Sequence, residues 1–299
     1  IHANVQNNAT LSVSITNSLF NGNIAEDNST GAGNSGSAAW LRTRGASSTL
    51  TSTIVNNTFV NNIDTGTATG LNNFNRATLA LTKDNAGATH NATVSNNIFY
   101  NNRGGTSGTT VSKSISGLNE TMATITVENS IDENNFSSIP AGSQTNTSSA
   151  DPQFTNAAGN DYTLGATTSP AINSGNTNAV TTTSDLLGNA RIYGAVVDMG
   201  AYEYVCSGNC FAVNVTTVGS GNVTQNGTFY NNGDNVTVTA TPIAGWAFIG
   251  WTGDITSTNN PLNINNITSD YNLTATFIKA PIYVDENATG NNDGTSWAN

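Results

Sequence analysis

A small set of charged side chains in the first half of the chain could support acid–base chemistry. The candidates are Arg42, Arg44, Arg76, Lys83, Asp84 and Arg103. Hydrolysis or elimination on a polymer needs paired carboxylates, or a base beside carboxylates that hold a cation. Carboxylates are sparse here, and His2 and His90 have no partner at a recognisable spacing. The pattern therefore predicts no catalytic residue in this chain.

The two cysteines could form a covalent link or bind a metal. Cys206 and Cys210 lie four residues apart and are the only cysteines in the sequence. A metal site would need a second cysteine pair or a nearby histidine. The spacing therefore favours a short disulfide loop and an oxidising, extracytoplasmic setting.

An oxygen-rich segment near residue 290 is a weak candidate for calcium. Asp285 and Asp293 lie there among several asparagines, but the spacing is not that of an EF-hand and no bidentate glutamate follows. Asn, Asp and Gly are also typical turn formers, so turn formation is the favoured interpretation. No other metal and no cofactor is predicted.

Asparagine-rich segments recur along the first half of the chain and indicate the element that positions these groups. Aligned copies begin near Ile15, Ile54, Val94 and Val127, at spacings of 39, 40 and 33 residues. The aligned positions hold Asn17, Asn56, Asn96 and Asn129, and in three copies Phe20, Phe59 and Phe99. Self-similarity at this period predicts a solenoid, in which each repeat buries its apolar face against its neighbours.

The pattern inside each copy predicts the type of solenoid. Short Val/Ile segments beside Asn suit strands and turns, and no segment has helical periodicity. We expect an all-β fold, a right-handed parallel β-helix of the pectate-lyase-like kind with three short strands per turn. The aligned asparagines would then form a ladder of amides bonded along the axis, the phenylalanines would stack inside, and Arg44 would face Asp84 on the adjacent coil.

The amino-acid composition of the chain limits the classes of partner that it is expected to bind. Charged residues make up 9% of the chain and the net charge is −11, so no basic stripe can neutralise phosphates. Nucleic acid is therefore not an expected partner. The sequence also contains no apolar run of about 18 residues, so no membrane insertion is expected.

A second set of segments resembles a known surface-protein element. It includes Ala150–Phe154, Ser169–Gly175, Asp185–Arg191 and Val197–Glu203. This ordered set resembles the closing segment of bacterial surface β-helix proteins, often called the choice-of-anchor type. The resemblance implies a C-terminal cap over the open end of the solenoid. We expect Arg191 to pair with an acidic neighbour, such as Asp185 or Asp198, and to pin this cap.

The segment after the cysteines resembles another repeat. Residues 211–278 alternate like strands, and Gly245–Gly253 reads Gly-Trp-Ala-Phe-Ile-Gly-Trp-Thr-Gly. The pattern resembles the divergent internalin-type B repeat of bacterial surface proteins, which implies a small, β-rich, grasp-like spacer without enzymatic activity. Trp246 and Trp251 could stack on sugars if exposed, but their alternation with Phe248 favours a core position.

Together these features predict a domain order and a role. We expect β-helix coils at 1–149, a cap at 150–205, a B-repeat-like domain at 206–279 and the start of another β-helix at 280–299. The order resembles that of Bacteroidota surface proteins and predicts a non-catalytic unit of an extracellular stalk, filament or adhesin, packed against repeats of its own chain or identical chains in a fibre. The alternatives are a carbohydrate-binding adhesin, which would bind surface glycans through Trp40, and a polysaccharide lyase or hydrolase.

Overall fold

The computed structural model describes residues 1–26, 35–65, 76–104, 110–111, 114–116, 124–165, 168–193, 196–206, 208, 210–225 and 229–280. The chain divides into two compact units, Ile1–Val205 and Cys206–Asn299. The segment 281–299, which includes the expected new β-helix start and the calcium candidates Asp285 and Asp293, lies outside the described residues.

The first unit is a stack of coils built from short strands. The first coil holds β1 (His2–Val5), β2 (Thr10–Thr16), β3 (Leu19–Asn21) and β4 (Ile24–Glu26). The second holds β5 (Ser35–Thr43), β6 (Thr49–Val55), β7 (Thr58–Val60) and β8 (Ile63–Thr65). The third holds β9 (Arg76–Lys83), β10 (Thr89–Ser95), β11 (Ile98–Tyr100) and β12 (Arg103–Gly104). The next strands are β13 (Thr110–Val111), β14 (Ile115–Ser116), β15 (Thr124–Glu128), β16 (Ile131–Asp132) and β17 (Gln144–Thr145).

Strands of successive coils pair in parallel, so the unit is a parallel β-helix; the exception is the two-residue strand β13, which pairs antiparallel with β12. Its sheets have the orders β1-β5-β9-β14, β17-β15-β10-β6-β2, β16-β11-β7-β3 and β13-β12-β8-β4. Ile15 pairs with Ile54, Ile54 with Val94 and Val94 with Val127, as the repeat spacing predicts. The expectation of three strands per coil is wrong. Within the described residues each of the first three coils has four strands, because a second bend, at Gly22, Asn61 or Asn101, separates the third strand from a fourth.

Apolar columns fill the interior of the coils. Phe20, Phe59 and Phe99 stack with ring centroids 4.8 and 4.6 Å apart and nearly parallel planes. Phe136 contacts Phe99 edge-on at 5.7 Å and is buried. Phe136 and Ile139 therefore cover the end of the apolar column at the last coil, and Gln144 Nε2 donates to the carbonyl oxygens of both residues.

Residues 150–205, which we call the strap, run along the side of the coils. They include β18 (Phe154–Asn156) and β19 (Asp161–Leu164), which pair antiparallel, and two short 3-10 turns at Ala157–Gly159 and Thr177–Ala179. Strap residues bond to coil residues as far apart as Asn17 and Asn129. The expected cap over the open end is therefore wrong for this segment. Phe136 and Ile139, which precede it, close the end of the core, and the strap covers a flank.

The second unit consists of two β-sheets around an aromatic core. Its strands are β20 (Cys210–Val218), β21 (Gly221–Gln225), β22 (Phe229–Asn231), β23 (Val236–Pro242), β24 (Trp246–Gly253), β25 (Leu262–Ile264) and β26 (Tyr271–Lys279). They form sheets of order β22-β20-β26-β24 and β21-β23-β25, with β20 and β26 parallel. The chain is thus all-β in both units. Among the described residues no helix has the length and apolar character that crossing a membrane requires.

Candidate functional site

Several asparagine side chains bond the coils to the strap along the flank where the two meet. Asn17, Asn56, Asn96 and Asn129 occupy matching bends on four coils, each with φ between 43° and 58°. Asparagine tolerates this left-handed conformation better than other residues that have a Cβ, which explains its recurrence there. We call these four residues the Asn row.

Each amide of the Asn row donates to a different carbonyl oxygen of the strap. The acceptors are Ser184 for Asn17 (3.1 Å), Asp198 for Asn56 (3.0 Å), Asn176 for Asn96 (3.0 Å) and Ser174 for Asn129 (2.9 Å). The strap thus binds all four coils through one repeated side-chain type. The predicted bonding of these amides to one another is largely wrong: one such contact is present, from Asn96 to Asn56 at 3.4 Å.

Amide ladders that run along the axis are formed by other asparagines, and the first of them consists of residues that directly follow members of the Asn row in the sequence. Asn97 Oδ1 accepts the backbone N–H of Asn57 at 3.0 Å, and Asn57 Oδ1 accepts that of Ser18 at 3.1 Å. Both asparagines are fully buried and also donate to backbone carbonyl oxygens. A second ladder links Asn23, Asn62 and Asn102 in the same way. These residues satisfy buried backbone groups at the bends, where no strand partner is available. Their signal in the sequence was the second Asn of each Asn-Asn pair.

A buried ion pair fixes the strap. Arg191 Nη2 lies 2.6 Å from Glu203 Oε1, and both side chains are at most 1% exposed. Arg191 also donates to Asn17 Oδ1 and to the carbonyl oxygen of Asp198. Arg191 thus pairs with an acidic neighbour as predicted, but the partner is Glu203 and not Asp185 or Asp198. Glu203 also accepts the backbone N–H groups of Asp198 and Tyr193, so its carboxylate has polar partners on several sides.

The two aspartates organise the turns of the strap. Asp185 accepts N–H groups from Leu187, Asn189 and Glu203. Asp198 accepts the N–H groups of Asn173 and Tyr204, both at 2.6 Å. Each carboxylate therefore holds together backbone segments that are distant in sequence, as charge-assisted hydrogen bonds do.

Burial makes the charge on this cluster depend on pH. Burial, followed by the nearby charge of Glu203, raises the pKa of Asp198 to about 7. Burial likewise raises the pKa of Glu203, although Arg191 and backbone N–H groups oppose the shift. A carboxyl group with a raised folded-state pKa stabilises the fold most below its unfolded pKa. The contribution of Asp198 is therefore lost as the pH rises through about 7.

Charged side chains on the outside of the coils form surface ion pairs. Asp84 pairs with Arg42 and lies 3.5 Å from Arg44. The structure thus brings Arg44 beside Asp84 and adds Arg42 as the closer partner. Arg103 pairs with Glu133 at 2.5 Å. Each of these carboxylates is paired with an arginine side chain. Ion pairs at the surface add little to the free energy of unfolding.

His90 and Ser52 form a polar pair inside the coils that the sequence did not reveal. His90 Nδ1 donates to the carbonyl oxygen of Thr82 at 3.3 Å, and Nε2 accepts from the Ser52 hydroxyl at 2.9 Å. Both residues are 1% exposed. His90 occupies the column of Leu11 and Leu50, so it replaces a core leucine. Burial lowers the pKa of His90 to about 4.

We expect His90→Leu, combined with Ser52→Ala, to remove an acid-sensitive contribution to stability. The unfolded chain binds a proton at His90 near pH 6.5 and the folded chain only near pH 4, so protonation favours unfolding between these values. The parent chain should lose about 3 kcal/mol relative to the variant when the pH falls from 7 to 4. Urea denaturation at several pH values measures this difference. Parallel pH profiles of the two chains would contradict it.

The tryptophans are engaged in packing. The Trp40 ring stacks on His2 at 4.7 Å, Arg42 lies 4.9 Å from its centroid, and its Nε1 donates to Thr82 Oγ1. In the second unit, Trp251 is 1% exposed and Nε1 donates to the carbonyl oxygen of Asn259. Trp246 packs partly buried against the same core. None of these three rings has an exposed face on which a sugar ring could stack.

The cysteines form a disulfide between Cys206 and Cys210. Its Cα atoms are 6.3 Å apart, and it immediately precedes the body of β20. Among the described residues no group of three or more His, Cys, Asp or Glu side chains could hold a metal ion.

The second unit, which contains the aromatic core, is the part of the chain that matches a known family. Phe248 contacts Trp251 and Phe277 at centroid distances of 5.1 and 5.7 Å, and these residues belong to adjacent strands β24 and β26. Residues 211–281 match the family model of the divergent InlB B-repeat domain. This B-repeat-like domain and the disulfide indicate an extracellular surface-repeat or adhesion-type module. None of the curated proteins and none of the solved structures matches the chain.

Proposed function

We propose that this chain is a mechanical repeat unit of an extracellular surface protein, with the coils and the B-repeat-like domain acting as successive segments of a stalk or filament. The observation that carries the proposal is the Asn row bound by the strap. One segment bonded to every coil opposes separation of the coils. That property suits a load-bearing element.

A non-catalytic role fits the environment of the reactive groups. Asp84 is paired with Arg42 at the surface, and the imidazole of His90 is enclosed in the core with Ser52. Asp84 and His90 therefore each have a structural bond that accounts for their presence. A polysaccharide lyase or hydrolase would need such groups in an open cleft.

Electron microscopy of the native material, together with a turnover assay, tests the proposal. We expect elongated fibres with a regular bead pattern, in which neighbouring repeats or identical chains pack against one another, and no turnover of acidic polysaccharides such as polygalacturonate. Isolated globules would contradict the stalk. Turnover that disappears in Asp84→Ala would instead establish an enzyme, and Asp234→Ala, on the other unit, provides the control.

A further inference from the structure

A cleft of about 330 Å³ lies between the second bend of the coils and the strap. Its floor is formed by Asn61 and Asn101, which occupy matching left-handed bends, and by Tyr100. The strap supplies the opposite wall through Ala158, Asn160 and Tyr162. The cleft is separate from the Asn row, and none of the structural roles described above requires it to be concave.

The polar groups of the cleft form a fixed network. Tyr162 Oη lies 2.6 Å from Asn61 Nδ2 and 3.1 Å from Asn160 Oδ1. Asn101 Nδ2 donates to Asn61 Oδ1 at 2.6 Å, and Arg103 donates to Asn101 Oδ1. These bonds orient the amides before any ligand arrives, which lowers the entropy that binding must overcome.

Several hydrogen-bonding positions in the cleft are unused. Asn160 is exposed, and its Nδ2 has no hydrogen bond to any described residue, since both bonds of its amide are made at Oδ1. Asn101 Nδ2 uses one of its two N–H groups within the described residues. Among the described residues, Asn61 Oδ1 accepts a hydrogen bond from Asn101 and from no other side chain or backbone group. The cleft therefore offers three amide donors and at least one acceptor to a ligand.

The chemistry of the lining selects a class of ligand. All the lining residues are neutral, and the nearest cation, Arg103, is already paired with Glu133. Beside the amides lie apolar surfaces, the ring of Tyr100 and the methyl group of Ala158. A sugar ring has the matching combination of hydroxyl groups at its edge and C–H groups on its faces, and aromatic rings pack well against such apolar faces. The volume is near the lower end of the range of about 300–1,000 Å³ for ligand pockets.

We propose that this cleft binds one residue of a neutral sugar, with the amides of Asn61, Asn101 and Asn160 bonding its hydroxyl groups and Tyr100 packing against its ring. The proposal goes beyond the mechanical role and does not depend on it. A site with so few contacts binds weakly, at dissociation constants of the order of millimolar.

Titration of the ¹⁵N-labelled chain with methyl glycosides of glucose, galactose, mannose and N-acetylglucosamine tests this site. We expect saturable shifts of the side-chain amide signals of Asn101 and Asn160 with at least one glycoside. Glucuronate and inorganic phosphate should bind several-fold more weakly. Absence of saturable shifts with all four glycosides, or equal binding of phosphate, would overturn the proposal.

Two variants keep the test specific. Asn160→Gly preserves the left-handed backbone (φ 63°) and removes the free donors, so the dissociation constant should rise about 3- to 10-fold. The matched control is Asn146→Gly, an exposed residue at φ 52° that is not among the lining residues. Ala158→Leu, at an exposed position, should abolish binding by filling the cleft. Affinity that is unchanged in Asn160→Gly or in Ala158→Leu would overturn the assignment of the site.

Discussion

Replacing Arg191 with methionine is expected to lower the free energy of unfolding of the first unit by about 3–5 kcal/mol, because it leaves the Glu203 carboxylate buried without its cation. The variant also loses the bond from Arg191 to Asn17, which ties the strap to the first coil. Urea denaturation read by hydrogen–deuterium exchange of peptides from residues 1–205 measures the loss and separates it from the second unit.

A surface arginine provides the control for Arg191. Arg44→Met removes a side chain that is 51% exposed and lies 3.5 Å from Asp84, so we expect a change below about 1 kcal/mol. The double variant Arg191→Met with Glu203→Gln should recover part of the loss, because the unpaired charge is then absent. If Arg191→Met costs no more than Arg44→Met, the buried pair does not hold the strap.

Replacing Asn97 with leucine should destabilise the coils by about 2 kcal/mol or more, since each buried polar group left without a partner costs about 1–3 kcal/mol. The backbone N–H of Asn57 loses its acceptor, and the carbonyl oxygens of Ile54 and Ser95 each lose one donor. The Ser95 oxygen keeps the backbone N–H of Asn56. Asn97 has no left-handed backbone, so strain does not contribute. The same exchange experiment measures the effect.

Two variants in the same coil separate the ladder from simple polarity. Asn97→Ser should cost less than Asn97→Leu, because a serine at the matching position, Ser130, already accepts a backbone N–H. Asn101→Gly removes an exposed amide at φ 53° and should cost below about 1 kcal/mol, since Gly22 occupies the equivalent bend of the first coil. A loss in Asn101→Gly equal to that in Asn97→Leu would contradict a special role for the buried ladder.

The sequence predicted the coil register because matching residues recur along it. A shift of 40 residues superimposes Phe59 on Phe99 and Ile54 on Val94, and these residues are paired in the structure. The second bend was not predicted, although Asn-Asn pairs follow the strands at residues 61–62 and 101–102. Such a pair indicates a turn but does not show whether another strand of the same coil follows it. Sequence periodicity thus reports which residues stack and does not report how often the backbone turns within a coil.

The path of the strap could not be predicted from the sequence. Its acceptors for the Asn row are backbone carbonyl oxygens, which every residue carries and which leave no mark in the sequence. The partner of Arg191 was ambiguous for a related reason: three acidic residues lie within twelve positions of it, and only the fold decides which one faces the guanidinium. The inward position of His90 was likewise hidden, since a polar residue on a strand is usually expected to face solvent.

Because the strap is synthesised after the coils that it binds, the order of synthesis affects when those coils can complete their folding. Ser184, whose carbonyl oxygen accepts the amide of Asn17, lies 167 residues later in the chain. As the polypeptide emerges from the ribosome, the first coil must therefore wait for most of the unit before its flank is bonded, and contacts of such long range form slowly. In a simple solenoid, neighbouring coils stabilise one another. Here the strap is the last part of the first unit to be synthesised, and it completes the side-chain hydrogen bonds of all four coils together.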